Sequence, residues 1–88
     1  MQTAPNPFAK STALSINVRE ALPVSVKVFG ISGNFIRLLH EGNLDAREHG
    51  FNWDGRNESG KRCAAGVYYI GVMSLETMLT KKVVLLAE

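Results

Sequence analysis

The sequence predicts an all-β sandwich of about seven short antiparallel strands. Three observations carry the prediction. Apolar and polar residues alternate with period two along several stretches, turn clusters rich in Gly, Asn, Asp and Ser separate those stretches, and no helix-period pattern outlasts a turn or two. A small barrel is the alternative closure of the same strands.

The elements follow in order. Pro5 and Pro7 keep the start extended, so residues 1–5 are expected to be a tail or linker and residues 6–88 the domain. Leu14, Ile16 and Val18 alternate with Ser15, Asn17 and Arg19, the pattern of a half-buried strand. Pro23 opens the next strand, where a missing N–H does no harm, and Val24, Val26 and Val28 alternate with Ser25, Lys27 and Phe29. Gly30 to Asn34 is a turn cluster, and Phe35 to Leu39 returns as the other half of a hairpin. His40 to Gly50 is polar and flanked by glycines. Leu44 to Glu48 has the composition of a helical turn, but the stretch reads as a loop. Phe51 to Trp53 is a short strand, and Asp54 to Lys61 is a turn. Val67 to Val72 is a strand with Tyr68, Ile70 and Val72 on one face. Ser74 to Thr77 turns the chain into the last strand, Met78 to Leu86. Its apolar end, Val83 to Leu86, predicts burial on both faces or a central place in the sheet. Two inner faces of such strands pack about 10 Å apart, the arrangement of immunoglobulin and fibronectin-III sandwiches.

Size and composition narrow the function. The 88 residues make one domain with one modest core. Net charge is +2, and the ten basic residues are dispersed, whereas nucleic-acid binding requires a dense basic face. The chain lacks the charged and apolar regions of a signal peptide and an apolar run of membrane-spanning length. Cys63 is the single cysteine, so the core holds without an intramolecular disulfide.

No residue set carries recognisable catalytic or metal chemistry. His40, Asp45, His49 and Cys63 lack the close pairing of zinc ligands. Asp54, Asn57 and Glu58 miss the register of a calcium loop, and Asp54 reads instead as the side chain of an Asx-type turn. Ser32 lacks the spacing of a nucleophile elbow. Lys61 and Arg62 stand beside Cys63, and adjacent cations can lower a thiol pKa, but a turn edge implies no pocket. Asn57-Glu58-Ser59 fits the N-glycosylation sequon. Phe29, Phe35 and Tyr69 fall on the side away from the inner set, as a candidate surface for a protein partner or glycan. No cofactor is expected.

The landmarks together resemble one family, the immunoglobulin-like domain shared by the flagellar hook-capping protein and the C-terminal sorting domains of type IX secretion substrates. The resemblance runs from Asn6-Pro7-Phe8 and Ser11-Thr12, through Val26 to Leu39, to Trp53-Asp54-Gly55, Gly60 and Gly66-Val67-Tyr68, and ends in Lys81 to Leu86. Phe29-Gly30 departs from the family's usual Tyr-Asp, Asn34 from its Arg, and Ala87-Glu88 from the basic ending of secretion substrates. The resemblance implies structural roles. Trp53 and Tyr68 fill the core, Asp54 caps the turn, and Gly55, Gly60 and Gly66 stand where side chains are costly. It further implies a non-catalytic module at the C-terminus of a larger exported protein, placed outside the cell or on its surface. There it directs outer-membrane secretion or cell-surface attachment through contacts with secretion machinery, surface components and the parent polypeptide. Strand addition at a sheet edge is a plausible mode of recognition. A hook-capping structural domain and a carbohydrate-binding or spacer module of a secreted glycoside hydrolase are the alternatives.

Overall fold

The computed structural model describes residues 2–87. Among the described residues seven strands form two antiparallel sheets, and none is helical. In chain order they are β1 (Gln2–Ala4), β2 (Thr12–Asn17), β3 (Leu22–Gly30), β4 (Phe35–Leu44), β5 (Glu48–Trp53), β6 (Gly66–Met73) and β7 (Met78–Leu85). A three-stranded sheet, β1-β2-β5, covers a four-stranded sheet, β4-β3-β6-β7. This is an immunoglobulin-like β-sandwich.

The period-two patterns supply the inner faces. Leu14 and Ile16 of β2 and Trp53 of β5 face Val24, Val26 and Val28 of β3, Ile70 and Val72 of β6, and Val83 and Leu85 of β7. Each such side chain, fully buried, contributes about 1.5–3 kcal/mol of transfer free energy. Phe8 joins this core from outside the named strands.

The chain changes sheets at its start. Gln2 to Ala4 pair with Ala13 to Ser15 of β2. The chain then crosses two cis peptide bonds, Ala4-Pro5 and Asn6-Pro7. Phe8 lies parallel to β7, its N–H donating to Val84 O at 2.9 Å and its carbonyl accepting from Leu86 N at 2.8 Å. Asn6 extends this pairing with its side chain: Nδ2 donates to Lys82 O and Oδ1 accepts from Val84 N, both at 3.0 Å.

Two expectations need correction. The stretch from His40 to Gly50 is mostly strand: β4 continues to Leu44 and β5 begins at Glu48, leaving only Asp45, Ala46 and Arg47 between them. Register shifts between Val26 and Lys27 and between Val28 and Phe29 break the period-two signal of β4. Ile36 and Leu39 therefore reach the core at an irregular interval. Beyond them the register is regular, but His40 and Gly42 take the inner positions before Leu44 while Glu41 and Asn43 face water, so the strand carries no apolar alternation there. The second correction concerns β7, which is an edge strand rather than a central one. Its apolar end is covered by Asn6 and Phe8, a segment with no local trace in the sequence around β7. Residues 2–4 of the expected tail are likewise paired, as β1.

Candidate functional site

The landmark turn is built on Asp54 and Asn57. Asp54 Oδ1 accepts from Arg56 N at 3.1 Å, an Asx turn. Asn57 Oδ1 accepts from Ser59 N, Ser59 Oγ and Lys61 N at 3.1, 2.8 and 3.0 Å, holding the tip closed. The sequon asparagine is thus half-buried and its carbonyl oxygen is taken up by the turn. Gly55, at φ 75, brings the backbone against the core: a Cβ there would stand 3.2 Å from Leu85 Cδ1. Gly60, at φ 84, reverses the tip with open space around it.

Trp53 enters the core from this turn. It is 1% exposed, and its Nε1 donates to Arg56 O at 2.9 Å, so the indole buries its apolar body without orphaning its N–H. Phe8 and Tyr68 meet it edge to face, with ring centroids at 5.5 and 5.1 Å. Tyr68 OH donates to Ala64 O at 2.6 Å, the tyrosine-corner bond of immunoglobulin-like domains, in which a tyrosine at the start of a strand ties back to the preceding backbone. Gly66 opens that strand opposite Leu85.

Arg62, which sequence reasoning missed, links the turn to both ends of the domain. Its guanidinium donates to Asp54 O and Leu86 O at 3.4 Å and to Ala9 O. A basic residue in a turn carries no signal for this, because its acceptors are backbone carbonyls distant in sequence. Glu58 has a comparable role at the other edge. Its carboxylate accepts from Leu38 N at 2.6 Å and its own N–H donates to Ile36 O at 3.0 Å, covering part of the β4 edge.

The nucleophile and metal candidates are dispersed. Burial pushes the Cys63 thiol above its usual range, outweighing the opposing pull of the Arg62 charge and a hydrogen bond with Tyr68. Burial also raises the Tyr68 phenol, and the neighbouring thiol adds to the effect. His49 Nε2 lies 2.9 Å from Asp45 O and 3.2 Å from its carboxylate, whereas His40 packs on the Phe51 ring at 5.3 Å. The Asp45 carboxyl is exposed; slight desolvation raises its pKa, but the hydrogen bond and charge of Arg47 prevail and hold it below the ordinary value. Among the described residues no group of three or more His, Cys, Asp or Glu could hold a metal ion, and no helix is long and apolar enough to cross a membrane.

Phe29, Phe35 and Tyr69 fall in one row. Register sets Phe29 opposite both Phe35 on β4 and Tyr69 on β6, on the outer face of the four-stranded sheet. Phe29 and Phe35 meet edge to face at 6.4 Å, and Phe29 also lies over Gly71, where an added Cβ would stand 3.3 Å from the ring. Phe35 is 50% exposed, while Phe29 and Tyr69 are half-buried. The row is therefore a semi-exposed apolar strip, with Lys82 opposite Tyr69 at its end.

Comparison with known proteins adds three structural relatives. A family model described as the FlgD Ig-like domain matches residues 4–77. The structure of FlgD from Xanthomonas campestris, described for its insight into hook capping in flagellar assembly, is 26% identical with a TM-score of 0.65, and the match covers 90% of this chain and 58% of that one. PorZ of Porphyromonas gingivalis, described as an essential bacterial surface component of the type IX secretion system, is 22% identical with a TM-score of 0.64, over 97% of this chain and 11% of that one. Dimeric latent PorU of the same organism is 21% identical with a TM-score of 0.67, over 99% of this chain and 9% of that one. The chain thus spans less than two thirds of each of these proteins, and the last two likenesses bear on fold alone. No curated protein matches the sequence.

Proposed function

The chain belongs to the family of FlgD Ig-like domains, and from that premise we propose that it is a non-catalytic module of a larger exported protein. In this reading it acts outside the cell or at its surface, directing outer-membrane secretion or surface attachment through protein contacts. The observation that carries the reading is the use of the landmark's polar groups. Asp54, Asn57, Arg62 and Tyr68 all bond backbone groups of the domain itself, so the chemistry of the turn serves its shape. Recognition then falls to surfaces and edges, among them the Phe35-Phe29-Tyr69 strip.

The test is transport. The whole 88-residue chain, β1 included, is fused to the C-terminus of a periplasmic reporter in a type IX-competent bacterium. The expected result is reporter outside the cell, dependent on that machinery. A folded reporter retained in the periplasm would overturn the sorting reading. The match to FlgD across 90% of the chain supports a second reading, a structural domain of a hook-capping assembly, and retention would favour it.

A further inference from the structure

The two edges of the four-stranded sheet are treated differently. Glu58 covers the β4 edge at Ile36 and Leu38. On β7 the covering is partial: Asn6 and Phe8 engage Lys82 O, Val84 N, Val84 O and Leu86 N, β1 passes alongside, and the side chains from Met78 to Lys82 are exposed throughout. Those contacts show which peptide groups point away from β6. Outward groups recur every second residue in an antiparallel ladder. The same set therefore continues to Lys82 N–H, both peptide groups of Thr80, and Met78 C=O. That is a row of strand-pairing groups in line with a segment that the edge already binds in extended form.

Beneath this free half the sandwich is open. A cavity of about 520 Å³ lies between the ends of the two sheets, with Ile16, Val18, Leu22, Val24, Val72 and Leu79 as its apolar walls; Arg19, Glu20 and Glu76 also line it, so a carboxylate is favoured opposite Lys81 and Lys82 and an apolar residue at the cavity. Register sets Leu79 opposite the inward-facing Val72, and Leu79 is 47% exposed. A strand added beside β7 would direct its inward side chains to the mouth of this cavity.

Charge selects among strands. The only charged side chains on β7 are Lys81 and Lys82, on opposite faces. Lysines on an edge strand repel indiscriminate pairing. The same pair favours carboxylates on a strand laid opposite, because cross-strand partners of opposite charge stabilise a ladder. We propose that the free half of the β7 edge, Met78 to Lys82, is a docking site for an extended, acidic segment of a partner protein. That segment adds as a fifth strand and turns an apolar residue toward the cavity beside Leu79. The proposal rests on the protein-recognition reading given above, and names the surface and the chemistry of its partner.

The test uses the 88-residue chain and a ten-residue peptide alternating valine and glutamate, blocked at both ends. Amide hydrogen exchange is followed by NMR. The peptide is expected to slow exchange of the Thr80 and Lys82 amides at least tenfold, while Lys81 and Val83, already bonded to β6, change little. An alternating valine–lysine peptide is expected to have no effect. Thr80→Pro removes an outward N–H that the sheet does not use, so the fold should persist and peptide protection should vanish. The double change of Lys81→Glu and Lys82→Glu should invert the preference between peptides. Failure of the acidic peptide to bind, equal binding of both peptides, or protection centred on Phe35 and Tyr69 would each overturn the proposal. So would concentration-dependent dimerisation that protects Thr80 without peptide, which would assign the edge to a second copy. Thr80→Pro in the transport fusion separates the two claims. Normal export of that variant refutes the edge and leaves the sorting reading intact, whereas peptide docking without export of any fusion refutes sorting and leaves the edge.

Discussion

Phe8 meets Trp53 edge to face, with ring centroids 5.5 Å apart and planes at 62°. This contact joins the Asn-Pro-Phe opening of the chain to the Trp-Asp-Gly turn, two landmarks 45 residues apart that the packing makes one unit. Truncating either ring leaves a cavity in a small core. Trp53→Ala and Phe8→Ala are each expected to destabilise by about 3–5 kcal/mol in urea unfolding. The double variant should fall short of their sum by about 0.5–1.5 kcal/mol, the coupling of an aromatic pair. A loss below about 1 kcal/mol for Trp53→Ala would contradict its place in the core.

Gly55 and Gly60 both have positive φ, but only one has a crowded Cβ position. Gly60→Ala should cost about 1–2 kcal/mol from backbone conformation alone. Gly55→Ala adds a clash with Leu85 and should cost more. Equal losses for the two in denaturant unfolding would argue against the tight approach of turn to core.

Asn6→Ala removes both side-chain bonds to β7. The expected loss is about 1–2 kcal/mol, since the bonds are exposed and water replaces them in part. The Val84 amide should lose exchange protection more than the Ile70 amide, which sits in the centre of the sheet. Uniform loss across both would mean that Asn6 acts on global stability alone.

Burial raises the Cys63 thiol, so it should react with a disulfide reagent several-fold more slowly at pH 8 than a free thiol. Its rate–pH profile should be displaced upward, and the difference should vanish in urea. The linkage has a definite sign. Cys63 and Tyr68 both have raised folded pKa values, so their neutral forms favour the native state; that contribution is complete below the unfolded pKa and is lost as pH rises through the folded one. Stability should therefore decline from about pH 8.5 upward. Cys63→Ala should flatten the first part of the decline, and a native thiol as reactive as a free one would contradict this account.

Legibility in the sequence followed the range of the interactions. The β3–β4 hairpin and the Asp54 to Lys61 turn were visible because their determinants, Gly30 to Asn34 and the Asx side chains, act within a few residues. The alternation of Val24, Val26 and Val28 named the inner face correctly. The far half of β4, His40 to Leu44, is in regular register, but its inner positions before Leu44 are His40 and Gly42 rather than apolar residues, so no hydrophobic alternation marked it; the register shifts lie in the near half, between Phe35 and His40. The edge position of β7 was hidden for another reason. Asn6 and Phe8 lie more than seventy residues before the strand they cover, and no local pattern encodes that pairing. Arg62 was illegible in the same way, since its acceptors Ala9 and Leu86 lie in distant segments.

The parallel course of the Asn6–Phe8 segment and β7 has a mechanical consequence. Tension applied between the beginning and the end of the domain draws these two segments past one another along their length. The bonds from Phe8 to Val84 and Leu86 and from Asn6 to Lys82 and Val84 then bear load together rather than opening one at a time. Pulled between residues 2 and 86 in a single-molecule experiment, the domain should rupture in one high-force event. Pulled across the β6–β7 hairpin, it should unzip at lower force. Under the attachment role proposed above, that geometry would serve the module, because the direction in which it is loaded is the direction in which it yields last.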